Sequence, residues 1–425
     1  MPRRSAPSRS QTDETESVLP RRHRPDYWLV VLMVILLAIG LVVIYSISPA
    51  LSLTSHVGAN YFIDKQLLAV GLGFVGFFIA ALVPFRYWRN WVFGLLVVAG
   101  LVTLAALVMP VNPAYPAHRW IRLGGFSFQS VELVTFALMI WAAKLLSNRM
   151  REGQIKNFKL TVVPILIAVL VVGAVVAGAQ SDLGSLGVIV AMLFSMVLIA
   201  GVPMKRLLIL SGIALVLALL AISATPYRRA RLATFLHPQS NCKSASSYQA
   251  CQAIIAVGSG GVAGLGLGRS VQAYGYLPEA DNDSVFAIFA EKFGFIGSLV
   301  LMVLFVAFFS RLKRIVERAP DNFTRLAVIG VLAWLSVQTF INIAGMIGLF
   351  PLKGITLPFI SYGGTSLVMT MAVVGFVFQI SRYTTHTALA AAQTEGNKHG
   401  SQKSRNSSLD RRRLGRAYNT ARSSR

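Results

Sequence analysis

The acidic run Glu279-Ala-Asp-Asn-Asp283 stands directly before a long apolar stretch, so Asp283 sits where the chain enters a helix. Two readings of Asp283 are open. Asp is a favoured N-cap, and Asp283-Ser284 can simply start that helix. The alternative is a general base at the edge of a lipid layer. A free Asp, with a pKa of about 3.9, is a weak base for a hydroxyl, but partial burial or the like charge of Asp281 would raise its basicity. Glu291 and Lys292 lie about two turns further along the same stretch. Charges there cost roughly 2.5–3.5 kcal/mol each at the centre of a span. Adjacent helical residues also point about 100° apart, so pairing inside a bundle, or a polar cavity, is expected. Asp182, in Gln180-Ser-Asp-Leu-Gly184, is again either a cap or a functional acid. Glu132 opens another apolar run and should face the bundle.

Arginine is the complementary residue type, because its planar fork matches phosphate oxygens. Arg119, Arg122, Arg228, Arg229 and Arg231 could grip a phosphate at head-group level or meet ordinary anionic lipids. Cys242 and Cys251 share one polar segment without a CxxC or His-rich motif, which argues against a metal site. They are either a disulfide, if that segment faces outside, or two unpaired thiols. The glycine-rich stretch 258–268 lacks the strand, helix and Gly-Lys-Ser/Thr context of nucleotide-binding loops. It suits a close-packed re-entrant or interfacial turn, where glycine permits tight backbone approach. Segment 354–366 contains Pro358 and Gly363-Gly364, which break helix. Irregular backbone at membrane depth is tolerated only when buried or lining a cavity, so this segment is a candidate cavity wall.

The elements that must position these residues follow from composition. Of 425 residues, 55% are hydrophobic and 13% charged, against about a quarter charged in soluble proteins. The apolar residues come in blocks, as at 28–45, 160–177, 207–220 and 299–309. A helix of roughly 20 such residues crosses the hydrocarbon of a bilayer. Only helices and closed barrels satisfy their backbone there, and these runs are too long and uniform for strands. The fold class is therefore all-α, a polytopic helical membrane protein of about ten spans: 27–48, 66–84, 91–109, 128–147, 159–178, 184–201, 205–223, 284–311, 323–347 and 364–383. A large extracytoplasmic loop, 224–283, separates the seventh and eighth spans, and loops of that length are often functional. The net charge of +24 belongs to positive-inside loops rather than to nucleic-acid binding. Arg86, Arg89, Arg149, Arg151, Lys156, Lys205, Arg206, Arg311, Lys313 and Arg314 fall on one side, which puts both termini in the cytoplasm. His118, Arg119, Arg122, Arg228, Arg229, Arg231, Lys243, Arg269 and Lys353 are outer exceptions that need a reason. The first apolar run is long enough to span and should stay uncleaved. The tails, 1–25 and 386–425, are basic and too polar to fold alone, so they are expected to be disordered.

Taken together, these motifs resemble the SEDS family of FtsW, RodA and SpoVE, from about Asp26 to Tyr383. The matching pieces are Arg119-Trp-Ile with Gly-Phe-Ser-Phe-Gln129 and Glu132; Gln180-Ser-Asp-Leu-Gly184; 227–236; Tyr248-Gln; Ala256-Val-Gly-Ser-Gly-Gly261; Gly266-Leu-Gly with Ser270 and Gln272; Tyr276-Leu-Pro-Glu-Ala280; Phe286-Ala-Ile with Glu291 and Gly294; and the run from Gly348 through Ser366. Each is weak alone, but their order and spacing are specific, and the Pro-Glu-Ala form and N-terminal tail are most like FtsW. The resemblance implies a peptidoglycan glycosyltransferase that polymerises lipid II at the outer face of the bacterial cytoplasmic membrane, for septal wall synthesis. It would work with a class B penicillin-binding protein transpeptidase and other divisome membrane proteins. It maps the essential Asp of the family onto Asp283. It implies substrate contacts at Arg119, Trp120, Arg122, Glu132, Asp182, Arg231, Gln272, Glu279, Glu291, Lys353, Ser361 and Tyr362. No cofactor is certain, and a divalent cation, Mg2+ or Mn2+, stays open. Asp281, Asn282, Ser284, Lys292 and Thr135 depart from the residues usual in the family. A lipid II flippase and a non-enzymatic divisome scaffold are the rival functions.

Overall fold

The computed structural model describes residues 21–22, 24–109, 118, 120–123, 126–209 and 245–384, with isolated positions between 212 and 242. Most of the expected tails, 1–25 and 386–425, and most of the seventh expected span lie outside the described residues.

The protein is a bundle of apolar helices within one compact unit, residues 23–383. α1 spans Tyr27–Ser55 and is capped by Asp26, whose carboxylate accepts from Leu29 N. It runs about two turns beyond the expected end because Ser48 and Ser52 donate to the carbonyl of Ala59, folding the outer turn back onto the helix. α2 spans Tyr61–Leu82, α3 Phe85–Asn90 and α4 Val92–Val108. α5 spans Ser130–Arg151, and α6 spans Phe158–Gly173 and ends in a π-helical turn, Ala174–Ala179. α7 is Leu183–Ile199, α8 Ala245–Ser259, α9 Val285–Glu317, α10 Asn322–Met346 and α11 Gly364–Ile380. α1, α2, α5, α6 with its π turn, α9 and α10 are long and apolar enough to cross a membrane, and α4, α7 and α11 are shorter apolar helices. All of them coincide with expected spans. Exposed Phe78, Phe93, Phe295 and Val306 belong to the outward faces of such helices, as expected where the solvent is lipid.

One feature was not expected from the pattern of spans. β1 (Trp120–Leu123) and β2 (Phe126–Gln129) pair antiparallel, with Trp120 opposite Gln129 and Leu123 opposite Phe126. The second strand ends on Phe128 and Gln129, which hydropathy assigned to the start of the fourth span. Gly124-Gly125 between two short runs of β-formers is a hairpin signal, masked in the sequence by its apolar surroundings. Thr365 fastens this hairpin to the start of α11, donating to Ser127 O at 2.6 Å while accepting from Gln129 N at 3.3 Å.

Close backbone approach, not side-chain bulk alone, holds the bundle. α2 and α11 form its most extensive helix pair. Gly375 allows this, since a Cβ there would lie 2.9 Å from Phe77 Cα. At the opposite end from the hairpin, Arg311 on α9 donates through Nε and Nη2 to the Asp26 carboxylate, at 3.0 and 2.9 Å. Asp26 N in turn donates to Ser381 Oγ at 3.0 Å, joining the ends of α1, α9 and α11.

Candidate active site

The turn that carries Asp283 is pinned through its backbone. Three consecutive carbonyls, those of Asp281, Asn282 and Asp283, accept from Tyr362 N, Ser361 Oγ and Asn342 Nδ2, each at 2.7 Å. The donors come from the irregular segment after α10 and from α10 itself. Internal bonds from Asn282 N and Ser284 N to Glu279 O, at 3.1 and 3.0 Å, tighten the turn. Glu279 has a positive φ of 51°, uncommon for a non-glycine residue. Buried carbonyls must find donors, and here the donors also specify where the turn sits.

Asp283 is 7% exposed. It does not occupy the cap of α9: the N-cap position is Ser284, which makes no side-chain capping bond. The Asp283 carboxylate instead accepts from Gln249 Nε2 on α8 at 3.3 Å. The same amide donates to Ser284 Oγ at 3.0 Å. Its Oδ2 lies beside Gly354, where an added Cβ would come within 3.5 Å.

Segment 353–366 forms the facing wall. Ser361 is buried, with its hydroxyl donating to Asn282 O and accepting from Leu357 N at 2.7 Å. Gln66 on α2 donates to Ser361 O at 3.3 Å. Gln338 on α10 donates to Thr356 O at 3.0 Å, and Thr356 pairs with Ser366. Glu132 hydrogen-bonds with Ser366 and lies near enough to Asp182 for their charges to interact. Asp182 caps α7, accepting from Ser185 N and Oγ at 3.0 and 2.9 Å. Gly184 packs against Lys353 Cβ and Ile355. Thus Asp283, Glu132, Asp182, Lys353, Ser361 and Tyr362, widely separated in sequence, converge on one wall.

Burial and the charge of Glu279 push the Asp281 carboxyl up to about 6. Burial, followed by the charges of Asp281 and Tyr61, pushes the Tyr362 phenol up to about 12, so that it keeps its proton as a donor.

Glu291 and Lys292 anchor the loop above the site. They are 1% and 2% exposed. Glu291 accepts from Ser270 Oγ and from the backbone N–H groups of Val271 and Gln272, at 3.0 and 3.2 Å for the latter two. Lys292 Nζ donates to Leu267 O at 2.8 Å. α9 kinks just beyond, at Gly294, with φ 66° and ψ −164°. The glycine-rich stretch docks on this kink. Leu265 N and Gly266 N donate to the carbonyls of Glu291 and Lys292, at 2.9 and 3.0 Å. Phe295 N and Ile296 N donate to Gly261 and Val262 carbonyls, at 2.9 and 3.1 Å. A Cβ at Gly260 or Gly264 would collide with the α9 backbone. The stretch is therefore a close-packed turn that satisfies a broken helix.

Arg119 and Arg231 lie outside the described residues, and of Arg122 only the strand backbone is described. Trp120 is half-buried on β1. Cys242 and Cys251 form a disulfide. Among the described residues no group of three or more His, Cys, Asp or Glu side chains is arranged to hold a metal ion. Gln249, Asn342, Gln338 and Gln66 were not singled out by the sequence reading as site residues. For Asn342, Gln338 and Gln66 the available signal was an amide inside an apolar span, costly unless it has a specific partner; Gln249 lies in the expected outer loop and was marked only by the Tyr248-Gln match.

The family model of the FtsW, RodA and SpoVE cell cycle proteins matches residues 27–386. A probable peptidoglycan glycosyltransferase FtsW of Saccharophagus degradans is 38% identical over 367 residues, covering 84% of this chain and 92% of that protein. Stage V sporulation protein E of Bacillus subtilis is 34% identical over 364 residues, covering 85% and 98%. A solved peptidoglycan synthase complex that coordinates polymerization and crosslinking contains a chain with a TM-score of 0.68 and 26% identity, covering 84% of this chain and 98% of that one. The rod shape determining protein RodA of Thermus thermophilus superposes with a TM-score of 0.62 at 26% identity, covering 84% and 97%. With the match extending over all of the described spans and over the turn that bears Asp283, this chain belongs to the FtsW/RodA/SpoVE family of multi-pass membrane proteins.

Proposed function

We propose that this chain is a peptidoglycan glycosyltransferase that joins lipid II units into glycan strands at the outer face of the cytoplasmic membrane. The observation that carries the reading is a single carboxylate, Asp283, held by its backbone and by Gln249 beside an exposed glycine, Gly354. The name of the relative from Saccharophagus degradans, a probable peptidoglycan glycosyltransferase, supports the same chemistry.

In this mechanism Asp283 takes the proton of the acceptor's sugar 4-hydroxyl as that oxygen attacks the anomeric carbon of the donor. The bond to undecaprenyl pyrophosphate breaks with inversion, and the pyrophosphate carries the electron pair away. A positioned base contributes about 10²–10⁴-fold in rate; orientation and charge stabilisation supply the rest. Arg119, Arg122 and Arg231 are the cations proposed to meet the leaving pyrophosphate, together with Lys353 on the wall that faces Asp283. Both termini face the cytoplasm, and a class B penicillin-binding protein crosslinks the product at the septum.

The flippase alternative would need buried charges lining a path. Glu291 and Lys292 are instead engaged with the backbone of 267–272, which favours the enzyme. The test is purified chain supplied with lipid II. Glycan strands should form, and Asp283→Asn, correctly folded, should make none. Lipid movement in vesicles without polymer would establish the transporter instead.

A further inference from the structure

We propose that Gln249 is a positioning residue for the Asp283 carboxylate, and that the Cys242–Cys251 disulfide keeps it in place. This rests on the glycosyltransferase reading and deepens it.

Gln249 lies in the second turn of α8, and its amide bridges Asp283 Oδ1 and Ser284 Oγ. It therefore touches both the candidate base and the N-cap residue of the helix that follows. Donation to the charged form of a carboxylate favours that form, and it also selects which oxygen faces the substrate. The amide is neutral, so it orients Asp283 without neutralising it. Among the described residues, the charged groups around Asp283 are Glu279 and Asp281 on its own turn and Lys353 beside Gly354. Glu132 on α5 and Asp182 on α7 pack against that same segment. α10 presents the neutral Asn342.

Cys251 is two residues beyond Gln249 and is buried. Residues two apart on a helix point about 200° from each other. The disulfide thus holds one side of α8 while Gln249 reaches Asp283 from the other. Its partner, Cys242, precedes the helix, so the bridge closes over the first turns of α8, where a short helix would otherwise fray. Reduction by dithiothreitol breaks the S–S bond to two thiols with two electrons and two protons, while the reagent closes to its own cyclic disulfide. Reduction releases that end of α8 without altering any residue of the wall.

The experiment uses the full chain in proteoliposomes supplied with lipid II. Gln249→Glu preserves size but places a carboxylate against Asp283; Gln249→Ala removes the donor. Both should lower kcat about 10-fold or more, the scale of a misplaced reacting group, with KM within about twofold. In Gln249→Glu the like charge raises the pKa of the base, so the acid limb of the rate profile moves to higher pH. Gln249→Ala, which adds no charge but removes donation to the charged carboxylate, should move the limb the same way, and a merely structural role would leave it in place. Dithiothreitol should lower wild-type kcat towards the Gln249→Ala value and leave Cys242→Ser/Cys251→Ser, already at that lower rate, unchanged. Wild-type kcat in Gln249→Glu, or an unmoved acid limb in a folded variant, overturns the positioning role. Full activity after verified reduction overturns the role of the disulfide. A wild-type chain that makes no polymer sinks the glycosyltransferase reading, and this inference with it; an active wild type with indifferent variants sinks only the inference.

Discussion

The side-chain amide of Asn342, near the C-terminal end of α10, reaches the backbone carbonyl of Asp283. The same nitrogen donates to the carbonyl of Ile355, also at 2.7 Å. One buried amide thereby joins the turn that carries the candidate base to the wall that faces it. Asn342 is 2% exposed, so no water replaces it without rearrangement.

Asn342→Leu should accordingly damage both stability and activity. Each buried carbonyl left without a donor costs about 1–3 kcal/mol. Thermal unfolding in detergent should show a clear loss, and polymerisation should fall further than stability alone explains. Unchanged melting and rate would mean that the turn is held adequately by Ser361 and Tyr362.

Gly294 is the second sensitive point. Its backbone, φ 66° and ψ −164°, lies in a region that is essentially reserved for glycine. Any Cβ would also strike the glycine-rich stretch at Val262 and Ala263. Strain of about 1–3 kcal/mol adds to the lost docking bonds, so Gly294→Ala should be destabilised more than Gly261→Ala. Gly261 also has a positive φ, 51°, but open space around its Cβ position. Comparable melting temperatures for the two variants would refute the docking account.

Asp281 sets a pH dependence. Its folded pKa of about 6 lies above its ordinary 3.8 because burial and Glu279 disfavour the charge. A raised folded pKa contributes stability that is full below 3.8 and lost as pH rises through about 6. The melting temperature of the wild type, measured relative to Asp281→Asn, should therefore decline between those values and then level off. Parallel curves across that interval would show that Asp281 titrates normally.

The clasp of Arg311 on Asp26 is partly buried and bidentate. Removing one partner leaves the other charge uncompensated near the end of the bundle. Arg311→Ala should cost more stability than Lys313→Ala, whose partner Glu317 is exposed at 3.9 Å, since exposed pairs contribute about 0–1 kcal/mol. Paired thermal melts decide this, and equal losses would contradict it.

Much of the architecture was legible in the sequence. Long uncharged runs have only one hydrogen-bonding solution in lipid, so the helices were expected almost where they occur. Asp283, Glu132, Asp182, Glu291 and Lys292 drew notice because charge beside or within such runs is costly. Asn342 and Gln338 did not, since a neutral amide disturbs hydropathy little, and Gln249 entered only through the Tyr248-Gln match, without a role. The hairpin at 120–129 was hidden because short apolar strands and a helix start share a composition.

Composition and the placement of charge determined the fold class, the order of spans and the acid worth attention. They act locally, through the cost of exposing backbone or charge to hydrocarbon, so each stretch of chain carries its own instruction. Which carbonyl meets which amide was decided only by tertiary structure. Tyr362, Ser361 and Asn342 grip three successive residues from 59 to 81 positions away in the chain. No local preference encodes such contacts; packing must first close the long intervening chain before a hydrogen bond over less than 3 Å can form.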